Sequence, residues 1–300
     1  MKRLKLGVAL IAALSLAGLA GCSSGSSESG TDTNAGGNSG GKQITIGYVN
    51  WDEGVAVTHL WQKVLEDKGY DVKIEQIADA GPTYVGLAKG DIDLFFDGSL
   101  PTVHGAYWKK YGDQLTDIST WYDSVPLTIA VPTYMKDINS VADLKTHADE
   151  FDSTITGIES GAGETGIVKK KLMPQYGLGG WTLKTSSTAS MLAALKKATD
   201  AKLPIVVDLW HPHWAYTAYP IKDLKEPKGA MGKPDSLHAL GTSGFADHFP
   251  EVDAMLKKFH MDDAAVDSLE QTVLRDNKND MAKGVDQWLK ANPGFEASLG

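Results

Sequence analysis

ITIGYVNWDEGVAVTHLWQKVLEDKGYDVKIEQIADAGPTYVGLAKGDIDLFF, residues 44–96, is the stretch on which the fold turns. Its first six residues, Ile44 to Val49, read as a buried strand. Val57, Leu60, Trp61, Val64 and Leu65 then recur at helical spacing until Gly69 stops them, and Asp52 is placed to cap that helix. VKIEQI (72–77) gives a second strand, PTYVGLAKG (82–90) a short helix opened by proline, and IDLFF (92–96) a third strand. A βαβαβ start of this kind implies a parallel sheet.

Downstream, PLTIAVP (126–132) is a strand bracketed by prolines, where the chain is expected to cross into a second lobe. SVADLKTH (140–147), STITGIES (153–160) and the Gly161-Ala162-Gly163 loop open a second strand and helix series, continued by a helix through MLAALKKA (191–198) and the strand IVVDL (205–209). From about Leu237 the chain returns to the first lobe. Three helices close it, with apolar faces at Met255, Leu256 and Phe259, at Val266, Leu269 and Val273, and at Val285, Trp288 and Leu289. The expected division is lobe I at 42–128 plus 237–300 and lobe II at 129–236. Lobes joined by crossing strands leave a cleft between them, and ligand sites favour such interfaces and the carboxyl ends of parallel strands.

The amino-terminal residues point to a compartment. Lys2, Arg3 and Lys5 precede an apolar run from Leu6 to Ala20 that stops at Gly21-Cys22. The run is shorter than the ~20 residues that span a bilayer, so 1–21 reads as a signal peptide. Leu19-Ala20-Gly21-Cys22 resembles a bacterial lipobox, which makes Cys22, the single cysteine, the expected lipidation site. Residues 22–41 are nearly all Gly, Ser, Thr, Asn and acidic, too polar to bury a core, and read as a flexible tether. The chain carries a net charge of −9, and its leader removes only basic residues. Without a basic stripe, nucleic-acid binding is excluded as a function class.

Chemistry concentrates in the loops after the strands. Trp51 follows the first strand, His104 the third, and Trp210-His211-Pro212-His213-Trp214 follows IVVDL. An indole face aimed into a cleft attracts a cation by ~0.5–2 kcal/mol, and two or three such rings hold a methylated ammonium that cannot donate hydrogen bonds. Trp51 and Trp210 are the candidates for this role, with Trp214 beside them, whereas Trp61, Trp108 and Trp288 read as core. The loop Gly161-Ala162-Gly163-Glu164-Thr165 opens a helix whose free amides suit a carboxylate, and His104 would be a donor across the cleft. No Gly-Lys-Ser or Gly-Lys-Thr follows that loop, so it is not a P-loop.

Over nearly the whole mature chain the sequence resembles the glycine betaine-binding proteins of the osmoprotectant importers. VNWDEGVAVTHLW, ADAGPTYVGLAKGDIDLFFDGSLPTVHGAYWKKYGD, AVPTYMKDINSVADL, ESGAGETG and VVDLWHPHWAY carry the resemblance. It implies an α/β, two-lobed fold of the periplasmic-binding-protein type II, a lipid-anchored position on the extracytoplasmic face, and ABC permease and ATPase subunits as partners. It implies no cofactor and no catalysis. In the ligand site it implies Trp51 and Trp210 as cage walls, His104 as the histidine of the family's Trp-Leu-Pro-x-x-His string, and Gly161, Ala162, Gly163 and Glu164 as the segment supplying backbone donors. The string departs from the family at one point, because Ser99 stands where tryptophan is usual. One cage wall is then missing, and Tyr48, Trp121 or Trp214 would have to fill the gap, or the preferred ligand differs. A desolvated ring is worth ~1–2 kcal/mol, about tenfold in affinity. Asp97 could offset the loss by attraction to the cation.

Two other readings stay open on the residues alone. The ligand could be choline, carnitine, ectoine or an amino acid, since Asp52, Glu53, Asp97 and Asp208 could meet a different ammonium. His211-x-His213 with His104 could be zinc ligands of an enzyme, although alternating histidines around a proline are no specific motif and no Gly-x-Ser-x-Gly elbow occurs.

Overall fold

Two five-stranded sheets organise residues 43–300, the part of the chain that the computed structural model describes. The expected signal peptide, Cys22 and the tether lie outside the described residues. In chain order the strands are β1 (Gln43–Tyr48), β2 (Asp71–Gln76), β3 (Leu94–Leu100), β4 (Leu115–Val125), β5 (Leu127–Pro132), β6 (Thr154–Thr156), β7 (Thr182–Lys184), β8 (Val207–Trp210), β9 (Ile221–Asp223) and β10 (Asp235–Thr242). The first sheet has the order β2-β1-β3-β10-β4 and the second β7-β6-β8-β5-β9.

The βαβαβ reading of residues 44–96 corresponds to β1, β2 and β3, which pair in parallel. The sheet does not stay parallel: β10 runs antiparallel to both β3 and β4. The second sheet is mixed in the same way, β6 being parallel to β7 and β8 while β5 is antiparallel to β8 and β9. β4 has no clean apolar alternation, and its strand character comes from its pairing with β10.

Between the first two strands, α1 (Asp52–Asp67) buries Val57, Leu60, Trp61, Val64 and Leu65 as its spacing predicts. Removing one such large side chain from water contributes roughly 1.5–3 kcal/mol. Gly69 follows the helix at φ +85°, a left-handed conformation that glycine adopts without a Cβ clash. The cap expectation is corrected. Trp51, not Asp52, is the extended residue before the helix, and it makes no side-chain cap bond. Asp52 is already helical, and its Oδ2 lies 3.0 Å from His213 Nε2. α2 (Ala80–Lys89) begins before Pro82, because Asp79 caps it by accepting from the Ala80 amide at 2.8 Å.

The chain changes sheet twice, at Pro126 and between Asp223 and Asp235. Both crossings come slightly earlier than the expected boundaries. Leu127 and Thr128 already pair with Trp210 and Leu209, and Asp235 and Ser236 already pair with Val125 and Leu100. Proline lacks an amide hydrogen, so Pro126 is where the ladder breaks. Of the closing helices, the run from Asp263 to Asp276 and Met281–Ala291 pack against α1, and Pro250–Leu256 packs against β4 of the first sheet. Their apolar faces join one core with Trp61 and Trp288, while a second core, with Ile155, Val168 and Leu172, lies on the far side of the second sheet.

Candidate functional site

The four loops marked by the sequence meet at one cavity between the sheets. β1 delivers Trp51. The end of β3 delivers Asp97 and Ser99, which project to one face because strand side chains alternate. His104 stands just before α3 (Gly105–Tyr111), and the second lobe contributes Ala162, Gly163 and Glu164 around the start of α4 (Gly163–Ile167), with Trp210 from the end of β8.

The two indoles are fixed by carboxylates of the opposite lobe. Trp51 Nε1 donates to Glu159 Oε2 at 3.2 Å, and Glu159 is itself held by the Thr188 amide and hydroxyl at 2.9 and 2.8 Å. Reciprocally, Trp210 Nε1 in the second lobe donates to Glu53 Oε2 of α1 at 2.9 Å. Asp79 bridges the lobes as well, accepting from Gly161 N at 2.7 Å, and Tyr107 donates to the Gly161 carbonyl at 2.8 Å. These contacts describe lobes closed on one another. Gly163 shows how tightly: a Cβ there would lie 1.9 Å from the Val103 carbonyl oxygen of the first lobe.

His104 is buried, which lowers its pKa to about 3, so the ring is neutral. Its Nδ1 accepts from the Ser99 amide at 3.1 Å, which leaves the proton on Nε2 and makes that atom a donor. The loop from Thr102 to His104 is shaped by Asp235 at the second crossing, whose Oδ2 accepts from the amides of Thr102 and Val103 at 2.8 and 2.6 Å.

Two of the residues singled out in the sequence stand off the cavity. The Gly161 amide and carbonyl are committed to Asp79 and Tyr107. Trp214 faces elsewhere, its ring under the Arg275 guanidinium at 3.9 Å and its amide bonded to Glu270. Neither Tyr48 nor Trp121 fills the place left by Ser99. Tyr48 lies against His59, and Trp121 is core, stacked on Phe259 with its Nε1 bonded to the Phe96 carbonyl. The three histidines of the zinc reading go separate ways: His211 pairs with Asp223 at 2.9 Å, His213 lies near Asp52, and His104 lines the cavity.

Acidic side chains that the sequence offered only as alternative partners for an ammonium, and Glu164, which it offered for its backbone amide, also reach the cavity. Glu53, Asp97 and Glu164 all line the cavity at 3 % exposure, and Asp208 lies fully buried behind Glu164. Asp97 Oδ2, Glu164 Oε1 and both Asp208 oxygens have no hydrogen-bond partner among the described residues. A legible signal existed, since Asp97 and Asp208 each interrupt a strand that is otherwise apolar (DLFFDGSL and IVVDLW). Burial favours the neutral acids. It pushes Asp97 and Asp208 up to about 7, and it raises Glu53 and Glu164 well above the usual carboxylate range, helped by the charges of Asp97 and Glu270 on Glu53 and of Asp208 and Glu53 on Glu164.

A pH dependence of stability follows. Because the folded-state pKa of Asp97 lies above its unfolded value, its contribution is fully present below pH ~4 and is lost as pH rises through about 7. The protein in this closed form is therefore expected to melt at lower temperature at pH 8 than at pH 5. The slope is at most about 1.4 kcal/mol per pH unit for each proton. Asp97→Asn should reduce that slope in thermal melts, and an unchanged slope would remove Asp97 as its source.

A two-sheet architecture with crossing segments and a cavity between the lobes defines a substrate-binding protein of the periplasmic type II fold. The chain belongs to the family described as the substrate binding domain of the ABC-type glycine betaine transport system, whose model matches residues 42–291. It is similar to the glycine betaine/carnitine transport binding protein GbuC of Listeria monocytogenes, at 32 % identity over 152 residues. That match covers 50 % of this chain and 49 % of GbuC, so the chain spans about half the length of this curated relative. Two crystal structures resemble it over most of their length. The glycine/betaine/L-proline-binding protein ProX of Borrelia burgdorferi superposes with a TM-score of 0.79 at 28 % identity, covering 86 % of this chain and 96 % of that one. Lactococcal OpuAC, in its closed form with glycine betaine, gives 0.78 at 29 %, covering 86 % and 99 %.

Proposed function

We propose that this chain is the extracytoplasmic capture subunit of an ABC importer and that it binds glycine betaine or a similar small quaternary-ammonium osmolyte. The observation that carries the reading is a cavity walled by one indole from each lobe, Trp51 and Trp210, each held by a carboxylate of the other lobe. Two fixed aromatic faces in a desolvated site suit a methylated cation, by ~2 kcal/mol or more per ring at the upper end. At the other end of a zwitterion, a carboxylate would meet the His104 Nε2–H and the amides of Gly163 and Glu164, whereas the Gly161 amide is already taken by Asp79.

The cycle has no chemical step. The ligand bridges both lobes, shifts the protein toward the closed form, and the closed form is what the permease recognises. A permease and an ATPase are the partners this role requires, Cys22 would hold the protein to the outer face of the membrane, and no cofactor or catalytic residue is needed. No helix among the described residues is long and apolar enough to cross a membrane.

The test is a titration of the protein from Lys42 onward with glycine betaine, followed by intrinsic tryptophan fluorescence. Saturable binding in the micromolar range, lost in Trp51→Ala, supports the reading. Absence of any response to glycine betaine, choline, carnitine and the simple ammonium cations would overturn it.

A further inference from the structure

His213 does not line the cavity, yet its ring stands edge to face against Trp210, with centroids 4.9 Å apart and planes at 74°. Its side chain is fully buried. Nδ1 accepts from the Ala215 amide at 3.0 Å, which puts the ring proton on Nε2. That atom faces Asp52 Oδ2 of the first lobe at 3.0 Å, and neither atom has a hydrogen-bond partner elsewhere among the described residues.

The pairing is in register with the one that holds the indole itself. Trp210 and His213 sit three residues apart in the second lobe, while their acceptors, Glu53 and Asp52, are neighbours in the first turn of α1. The Trp214 amide adds a third point on the first lobe, Glu270, at 2.9 Å. Glu270 is itself held well above the usual carboxylate range, by burial first and then by the charge of Asp52. Asp52 therefore has acids beside it on its own lobe, and the His213 Nε2–H is the donor that the other lobe brings to it.

One hydrogen bond through Nε1 fixes where the Trp210 N–H points but leaves the ring free to swing about that direction. A second contact on the ring sets its plane, and the plane decides whether the face meets a cation. We propose that His213, anchored on Asp52 across the lobe boundary, is a positioning residue that holds the plane of the Trp210 indole. Affinity then depends on a pair of side chains that the ligand does not touch. The inference deepens the capture reading of the cavity and rests on it.

Two independent readouts test it: calorimetric titration with glycine betaine, choline and carnitine, and the 15N–1H indole resonance of Trp210, identified by its loss in Trp210→Phe. His213→Ala should weaken the tightest-binding of the three about tenfold or more and shift that resonance in the ligand-bound protein. His213→Gln, which carries an N–H to about the place of Nε2, should recover affinity to within about threefold of the unaltered protein. Asp52→Ala should also weaken binding and shift the resonance, and should add nothing in the His213→Ala background, because the two act as one contact. The Asp52 side chain is 17 % exposed, so this variant reads the anchor even if His213→Ala fails to fold. Equal losses in His213→Ala and His213→Gln with an unmoved Trp210 resonance would mean that the histidine only fills space. Full additivity of Asp52→Ala and His213→Ala would remove Asp52 as the anchor, and either result overturns the inference while capture stands. If the unaltered protein binds none of the three compounds, the capture reading falls and the inference with it.

Discussion

Gly163→Ala is expected to abolish high-affinity binding, by a hundredfold or more, while leaving the ligand-free protein folded. Gly163 has a negative φ, so alanine is tolerated by the local backbone. What it meets is the other lobe. The added carbon would sit 1.9 Å from the Val103 carbonyl oxygen and 2.6 Å from the carbonyl carbon, and backbone cannot swing aside as a flexible side chain can. These groups meet across the two lobes, so the substitution is expected to act on closure rather than on folding. An increase in affinity cost of about 2.7 kcal/mol corresponds to a hundredfold. Calorimetry with the best-binding cation, together with small-angle scattering, should show weak binding and a radius of gyration that ligand no longer reduces. Gly166→Ala is the control: nothing lies within 4 Å of its Cβ position, and binding should stay within threefold of the unaltered protein. Equal behaviour of the two variants would mean that closure does not need the Gly163–Val103 contact.

Trp210→Ala should weaken binding by about a hundredfold or more, for two reasons that add. One is the aromatic face, worth about 1–2 kcal/mol to a cation in a desolvated site. The other is the Nε1–H that Glu53 accepts at 2.9 Å, whose loss leaves a buried carboxyl oxygen unpaired at a cost of about 1–3 kcal/mol. Trp210→Phe separates the two, since it keeps a ring and loses the donor, and should fall between. Trp214→Ala, off the cavity and under Arg275, should change affinity less than threefold. The same titration checks all three variants. A Trp214 effect as large as that of Trp210 would mean that the wall has been misassigned.

The closed state also explains why tryptophan, rather than another aromatic, stands at both walls. Each indole lines the cavity and donates its N–H to an acid across the cleft, Trp51 to Glu159 and Trp210 to Glu53. Phenylalanine could do only the first, and tyrosine would place its hydroxyl elsewhere. Closure therefore fixes the ring orientations, and ring orientation in turn favours closure. Asp79 adds a third bridge by leaving its role as helix cap only half engaged, one oxygen on Ala80 and the other on Gly161.

What residues 44–96 determined by themselves was local: a strand, a helix ended by Gly69, a second strand, a short helix and a third strand. These follow from apolar periodicity, which acts over neighbouring residues and needs no tertiary context. The same logic marked the loops after β1, β3 and β8 as the place to look, and Trp51, His104 and Trp210 do meet there. It failed where the deciding partner is distant in sequence. Asp52 looks like a helix cap until His213 is brought beside it, Pro126 ends one sheet because Trp210 is waiting in the other, and Trp214, a candidate beside Trp210, leaves the cavity because Arg275 covers its ring. Glu53, Asp97 and Glu164 come from three separate elements, and no spacing within the chain announces that they share one wall. Their burial and their raised pKa values belong to the assembled cavity, because desolvation is a property of everything packed around a group and not of the group's neighbours along the chain.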